Sequence, residues 1–551
     1  MNKYIKLIIS VFTLGCLSCS DYLEKYPLDK PSDATFYSTE SELTMAVNGI
    51  YFKSMYFQQA ASSLNLVLDC ASDIGWDRDQ GSDLQLLGEG LHVPTNETFN
   101  KIWFNSYTVI NQCNMLLANM HKAQSITNPG IYTRIEGEAR FFRAYHYHLL
   151  VNFFGNIPLL TEPQSITDKP AQTDRSQVSE FILNELEDAA KLLPVQYTGD
   201  DIGRVTQGCA LSVKAREALF SGKWDIAADA SKRVIESGVY SLEPNYNNLF
   251  NKQNKQSKEV IFFVQYSRVN QQTHGVPGNL FSRMASGYSN KVPAQSLVDS
   301  YYCTDGLPIN ESSLYNAATP FKNRDLRLEA TIVVPGSTFQ GYQFETHPDS
   351  LECWDYNVTP AVRRNNQDVT NPYATFSGYC WRKYTDEEQT FRLKSELNII
   401  LIRYAEVLLM YAEAVNELGK MDNLGYEALK LVRERAQMPA IKPDTQENIR
   451  KLIRQERKVE FAMEGLRFFD IRRWRIAESV MNGKLYGRPV RDYLPHYIPT
   501  FDKNGMPQYD AYAAALRSFD NRTFNPDRDY LFPIPQKELD INKNLKQNPN
   551  Y

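Results

Sequence analysis

Between residues 453 and 474 the chain reads IRQERKVEFAMEGLRFFDIRRW, and this stretch restricts the fold more than any other. The pattern predicts a helix over 447–464, a break at Gly465, and a second helix carrying Phe468, Phe469 and Trp474. Glu456, Glu460 and Glu464 recur every fourth residue and so share one helical face, with Arg454, Arg457, Arg467, Arg472 and Arg473 close by. Carboxylates at that spacing suit either an acid/base pair or an arginine–carboxylate lattice clamping two helices together. The lattice is the plainer reading, because structural ion-pair networks gather carboxylates too.

The N-terminus points to export. Lys3 and Lys6 precede an apolar run over 7–17, which ends at Ser18-Cys19 before the polar Ser20-Asp21. That run is too short to span a bilayer, which takes about 20 apolar residues, and it has the layout of a secretory signal. A small residue followed by cysteine resembles a lipobox, so residues 1–18 are read as a lipoprotein signal and Cys19 as the lipidated residue. Cys16 after Gly15 fits the same pattern less well, because Leu17 still belongs to the apolar run. An ordinary cleaved signal is the alternative. The most apolar later stretch, 397–410, carries Arg403 and Glu406 and is not a span.

A net charge of −5 over 551 residues gives no basic footprint for nucleic acid. Six cysteines follow Cys19. Cys113 and Cys209 lie in helical patterns as small apolar residues, while Cys303, Cys353 and Cys380 fall in an irregular middle where spacing leaves a disulfide open. His146 and His148, two apart on a helix, point in different directions and form no metal motif. No metal or cofactor is expected.

Residues 208–238 read as two short helices around a Gly222-Lys223-Trp224 turn, with Ala215, Gly222, Trp224 and Ala227 where a tetratricopeptide-type repeat places such residues. Ala412 and Gly419 repeat the spacing, followed by a helix over 425–436. Small residues let such hairpins stack closely. Residues 401–418 read as a buried helix, and further helices fit 40–51, 100–120 and 132–153, the second with Trp103 in a core role. The fold class is therefore mainly α: a tetratricopeptide-like scaffold with a large irregular region carrying short strands. The divisions fall at 19–243, a loop-rich segment at 244–396, and 397–551.

In the middle segment helical periodicity fades and β-like runs appear at 260–265 and 330–334. Long irregular segments on a regular scaffold are usually functional. This one holds the exposed-looking aromatics Tyr288, Tyr342, Trp354, Tyr356, Tyr373 and Tyr379. A second loop, 69–94, sets Trp76 among Asp73, Asp77, Arg78 and Asp79. A ring flanked by carboxylates and a guanidinium can bind a sugar, covering its apolar face while the charged groups exchange hydrogen bonds with hydroxyls. The candidate ligand-binding residues are Asp73, Trp76, Asp77, Arg78, Trp354 and Tyr356. A calcium loop is a lesser option, since neither spacing nor turn glycine matches an EF-hand.

Seven segments, in order, closely resemble the SusD/RagB family of outer-membrane nutrient-binding lipoproteins. They include GEARFFRAYHYHLLVNFFGNIPLL at 137–160, RYAEVLLMYAEAVNELG at 403–419, the 453–474 stretch, and YLFPIPQKELDINKNLKQNPNY at 530–551. The resemblance implies a helical body under a loop-rich ligand face, a surface location through the lipid anchor, and a SusC-like TonB-dependent transporter as partner. It implies an oligosaccharide ligand, with peptides as an alternative cargo, and transfers no contact residue, because the matching motifs are scaffold. A surface glycoside hydrolase is the competing class. It needs two carboxylates across a cleft, and no G-x-S-x-G or H-E-x-x-H motif accompanies them.

Overall fold

A computed structural model describes residues 36–55, 63–165, 167–386 and 392–551. The signal segment and Cys19 lie outside the described residues. The architecture is mainly helical with short strand pairs, as expected. Ten helices run eight residues or longer among the described residues: α1 Glu40–Ser54, α2 Glu97–Asn119, α3 Pro129–Phe154, α4 Arg175–Leu192, α5 Gln207–Phe220, α6 Trp224–Glu236, α7 Tyr404–Glu417, α8 Asn423–Arg435, α9 Gln446–Glu460 and α10 Leu466–Arg473. No described helix is long and apolar enough to cross a membrane.

Local chemistry sets these boundaries. Thr39 and Glu42 form a reciprocal capping box on α1. α3 starts on an Asn128 cap with Pro129 in its first turn and stops at Gly155. Between α5 and α6, Gly222 takes φ +72° and lets the Lys223 N–H reach back to the Ala218 carbonyl at 2.8 Å. The α5–α6 hairpin then packs on α7, which pairs with α8. Successive helices from α2 to α6 also pack in turn, the stacking expected of a helical-repeat scaffold. Trp103 on α2 is buried against Tyr107 and Phe154.

The helix predicted over 401–418 begins only at Tyr404. Ile399–Arg403 is a strand, paired antiparallel with Val260–Val264. Its run of isoleucines carries strand propensity, and a partner strand within reach decides the outcome. The β-like run at 330–334 reduces to Ile332–Val333, paired with Cys380–Trp381, because Arg327–Thr331 turns helical.

The predicted helix over 447–464 ends earlier, at Glu460. Buried cations take over the carbonyls at its C-terminus: Arg403 Nη2 donates to the Glu460 oxygen at 2.8 Å, and Lys383 Nζ donates to Glu460 at 3.2 Å and Ala462 at 3.0 Å. Glu464 therefore leaves the helical face, yet it joins the lattice through Arg403 Nε at 2.9 Å. Gly465 follows at φ +76°, where a Cβ would lie 1.7 Å from the Asn65 carbonyl oxygen, so only glycine fits.

The arginine–carboxylate lattice is real and fully buried. Arg403 also holds Glu259 at 2.7 Å and Glu460 at 2.5 Å; Arg327 holds Glu456 and Glu460, both at 2.9 Å; Arg457 grips Asp470 at 2.9 and 3.0 Å. Burial alone would raise the Glu460 carboxyl. The guanidiniums of Arg435, Arg403 and Arg327 outweigh it and hold that group below the usual carboxylate range. The main apolar core runs from Tyr37 to Leu545 and draws on all three sequence segments, so scaffold and loop-rich middle share one interior. All six described cysteines are free, buried thiols.

Candidate functional site

The loop-rich segment builds its own small sheet: β1 Thr338–Phe339, β2 Tyr342–Gln343, β3 Glu352–Asp355 and β4 Val362–Asn365, each antiparallel to the next. Strand alternation divides its side chains. Cys353 and Asp355 turn inward, while Glu352 and Trp354 turn outward. Edge strand β4 is exposed along its whole length.

An open groove of about 770 Å³ runs along the face that carries Tyr342, Asp355 and Arg364. Its other wall holds Arg283, Tyr288 and Arg392. Arg364 pairs with Asp355, the sole carboxylate among the described lining residues. Trp354 projects from the opposite face of β3, 39% exposed, with the Arg363 guanidinium 5.3 Å over its ring. Arg363, its cross-strand neighbour, also lines the groove. Tyr356, 48% exposed, extends the aromatic surface beyond the end of β3.

Loop 69–94 is placed differently from its sequence reading. Gly75–Asp77 forms a short strand against Lys291–Pro293 and lies inside the protein. Trp76 is only 5% exposed, its ring 5.6 Å from Phe376 and 5.0 Å from Phe519. A stacking platform must offer a free ring face, so Trp76 is a prop beneath the surface rather than a sugar contact. Asp73 and Asp77 are buried and spoken for: Asp73 by Arg467 at 2.8 and 2.7 Å, Asp77 by Lys291 at 2.7 Å and Ser82 at 2.8 Å. Hydroxyls of a ligand cannot displace charge-paired carboxylates without stranding the partner cation in the interior.

Arg78 is the exception. It leaves the buried strand, donates to the Tyr373 carbonyl, and lies 5.6 Å from the Tyr373 ring and 5.9 Å from that of Phe376. Arg283 Nε donates to the same carbonyl at 2.9 Å. Burial, and then the neighbouring Arg283 charge, lowers the Arg78 guanidinium from its ordinary value. Tyr373 and Phe376 are exposed, so loop 69–94 reaches the surface of the loop-rich segment through Arg78, and Trp76 lies beneath the Phe376 ring.

Of the aromatics read as exposed, Tyr288, Trp354, Tyr356 and Tyr373 are so and Tyr342 is half-buried. Tyr379 is buried, its hydroxyl bonded to Gln295 at 2.7 Å. Sequence reasoning passed over the groove arginines. The adjacent Arg363-Arg364 pair was their one visible signal, since Arg283 and Arg392 come from distant loops.

Residues 258–551 match the model of the SusD family, and residues 21–219 match a second model described as starch-binding and associating with the outer membrane. SusD-like protein P2 of Formosa agariphila is 26% identical over 584 aligned positions, covering 100% of both chains. The crystal structure of a SusD-like carbohydrate-binding protein from Bacteroides fragilis superposes with a TM-score of 0.81 at 28% identity, covering 93% of this chain and 100% of that one. A second SusD-like protein from the same species gives 0.77 at 25% identity, covering 96% and 100%. With the helical scaffold, the buried lattice and these matches in hand, the chain belongs to the SusD family, a family of binding proteins rather than enzymes.

Proposed function

We propose that this protein is a cell-surface glycan receptor, held on the outer membrane by lipid at Cys19, that passes oligosaccharides to a SusC-like TonB-dependent transporter. The observation carrying this reading is the loop-rich face itself. Tyr288 and the half-buried Tyr342 line an open groove together with four arginines, and the exposed rings of Trp354, Tyr356 and Tyr373 lie on the same loop-rich segment outside it. Rings cover apolar sugar faces and guanidiniums donate to ring substituents, which is the division of labour a saccharide requires. The contacts proposed from loop 69–94 and the sheet are Arg78, Trp354 and Tyr356, with Asp73, Trp76 and Asp77 as the scaffold beneath. A match to starch-binding and carbohydrate-binding relatives supports the ligand class.

Calorimetry of the full chain in detergent against a panel of oligosaccharides tests the ligand class, with chromatography of the mixtures checking for cleavage products. Saturable binding without turnover is the expected result. Binding of peptides but of no saccharide, or release of shortened sugars, would overturn it. Co-purification from native membranes tests the transporter, which is expected as a stable partner. Release of a Cys19→Ala variant from the membrane tests the anchor; unchanged retention and surface protease sensitivity would remove it.

A further inference from the structure

The protein carries a net charge of −5, yet its groove has the opposite sign. Four arginines line it, Arg283, Arg363, Arg364 and Arg392, against the single described carboxylate Asp355. Two of the four are already compensated: Arg364 by Asp355, and Arg363 by Glu352 at 3.5 Å. Arg283 and Arg392 form no ion pair among the described residues. Arg283 uses Nε on the Tyr373 carbonyl, and Arg392 lies 5.9 Å from the Tyr288 ring with a buried Nε that has no hydrogen-bond partner among the described residues.

Other carboxylates around this wall already have partners, and Asp368 adds some compensating charge to Arg283 without a side-chain ion pair. Asp77 and Asp79 hold Lys291 at 2.7 and 3.1 Å. Asp368 is buried and accepts the Arg283 backbone N–H at 2.6 Å. Arg78 adds a third guanidinium by sharing the Tyr373 carbonyl with Arg283. Like charges fixed this closely repel, and the repulsion is relieved when an anion settles between them. Planar guanidinium forks suit oxyanions specifically, and Tyr288 and Tyr342 stand beside them to take the sugar ring.

We infer that the groove selects glycans bearing acidic groups, uronate carboxylates or sulfate esters, with Arg283 and Arg392 as the anion-binding side chains. This rests on the reading of the protein as a glycan receptor and names the substrate class for that site. Electrostatic attraction of this kind raises association rates and weakens as salt rises.

The test is affinity electrophoresis and calorimetry of the full chain in detergent with four polymers: polygalacturonate, its carboxyl-reduced form, a sulfated galactan free of uronic acid and its desulfated form. A neutral β-glucan completes the panel. At least one acidic polymer is expected to bind, with affinity falling as salt is raised, and its neutralised form to bind poorly. The polymer that binds identifies the oxyanion. Arg283→Gln and Arg392→Gln should each weaken binding about tenfold or more, the loss of one charge-assisted hydrogen bond, at unchanged melting temperature. Equal binding of acidic and neutralised forms, or acidic binding untouched in the double variant, would overturn the inference. Binding of the neutral glucan alone, lost in Trp354→Ala, would overturn it while leaving the receptor reading intact. Absence of binding to every saccharide would remove both.

Discussion

Arg467 grips Asp73 through two parallel hydrogen bonds of 2.8 and 2.7 Å across 394 residues of sequence, both side chains buried. The fork-to-carboxylate geometry ties α10, at the end of the lattice, to the loop that leads into Trp76 and Arg78. Burial would raise the Asp73 carboxyl, and the Arg467 guanidinium more than reverses that. The same loop is tied to the scaffold again at Asp69, which accepts the backbone N–H groups of Glu464 at 3.2 Å and Gly465 at 3.1 Å.

Removing one partner leaves a charge uncompensated in the interior. Asp73→Ala is expected to destabilise the protein by about 3–5 kcal/mol, and an apolar double replacement, Asp73→Leu with Arg467→Met, to recover much of that loss. Thermal and urea denaturation measure both. A single variant as stable as the parent would show that the pair carries no structural load.

Trp76 and Trp354 separate support from contact. Trp76→Ala empties a buried site under Phe376 and Phe519 and should cost about 3–5 kcal/mol of stability. Trp354→Ala should change stability by less than about 0.5 kcal/mol and weaken saccharide binding by about 1–3 kcal/mol. Melting curves beside calorimetry check the contrast; a stable Trp76 variant with lost affinity would reverse the two roles.

Two glycines with similar φ should respond unequally to alanine. Gly222 has open space around its missing Cβ, so Gly222→Ala carries only the left-handed backbone cost, about 1–2 kcal/mol. Gly465→Ala adds a collision with the Asn65 carbonyl and should prevent soluble expression or lower the melting temperature far more. Comparable melting temperatures for the two variants would contradict the close approach at Gly465.

Three buried histidines set an acid limit. Burial lowers His146 to about 3, and His92 and His274 to about 4. An unfolded histidine takes up its proton near pH 6.5, so each contributes stability above that pH that is lost as pH falls toward the folded value, at up to about 1.4 kcal/mol per pH unit. Asp69 and Asp368, raised by burial to about 7 and about 6, act in the opposite sense, losing stability as pH rises from about 4. The informative quantity is therefore a difference: His146→Gln should flatten the decline of melting temperature between pH 6.5 and 4 relative to the parent. An identical slope in both proteins would show that His146 takes up its proton equally in the folded and unfolded states, against the effect of burial.

Much of the scaffold was legible because helices announce themselves locally. Thr39 with Glu42, Asn128 before Pro129, and Gly222 before Trp224 are caps and turns readable in a few residues. The strand at Ile399–Arg403 was hidden because its partner lies more than 130 residues away, at Val260–Val264. The early end of α9 depends on Lys383 and Arg403, equally remote. Loop 69–94 misled for the same reason. Its aspartates look solvated until Arg467 and Lys291 are placed beside them, and only Arg78 leaves the buried strand to meet the exposed rings of Tyr373 and Phe376. The groove was invisible as a unit, since Arg364 comes from an edge strand and Arg283 and Arg392 from two distant loops.

The small sheet has a consequence for how such a receptor changes over generations. Its edge strand Val362–Asn365 is exposed at every position, while the fold is secured by buried pairs elsewhere. Replacing Val362 or Arg363 disturbs almost nothing in the interior, whereas replacing Arg403 or Arg457 endangers all of it. On the proposed site assignment, recognition can therefore drift by single substitutions along this strand without passing through a misfolded ancestor. Substitutions there leave the helical body to be inherited nearly unaltered.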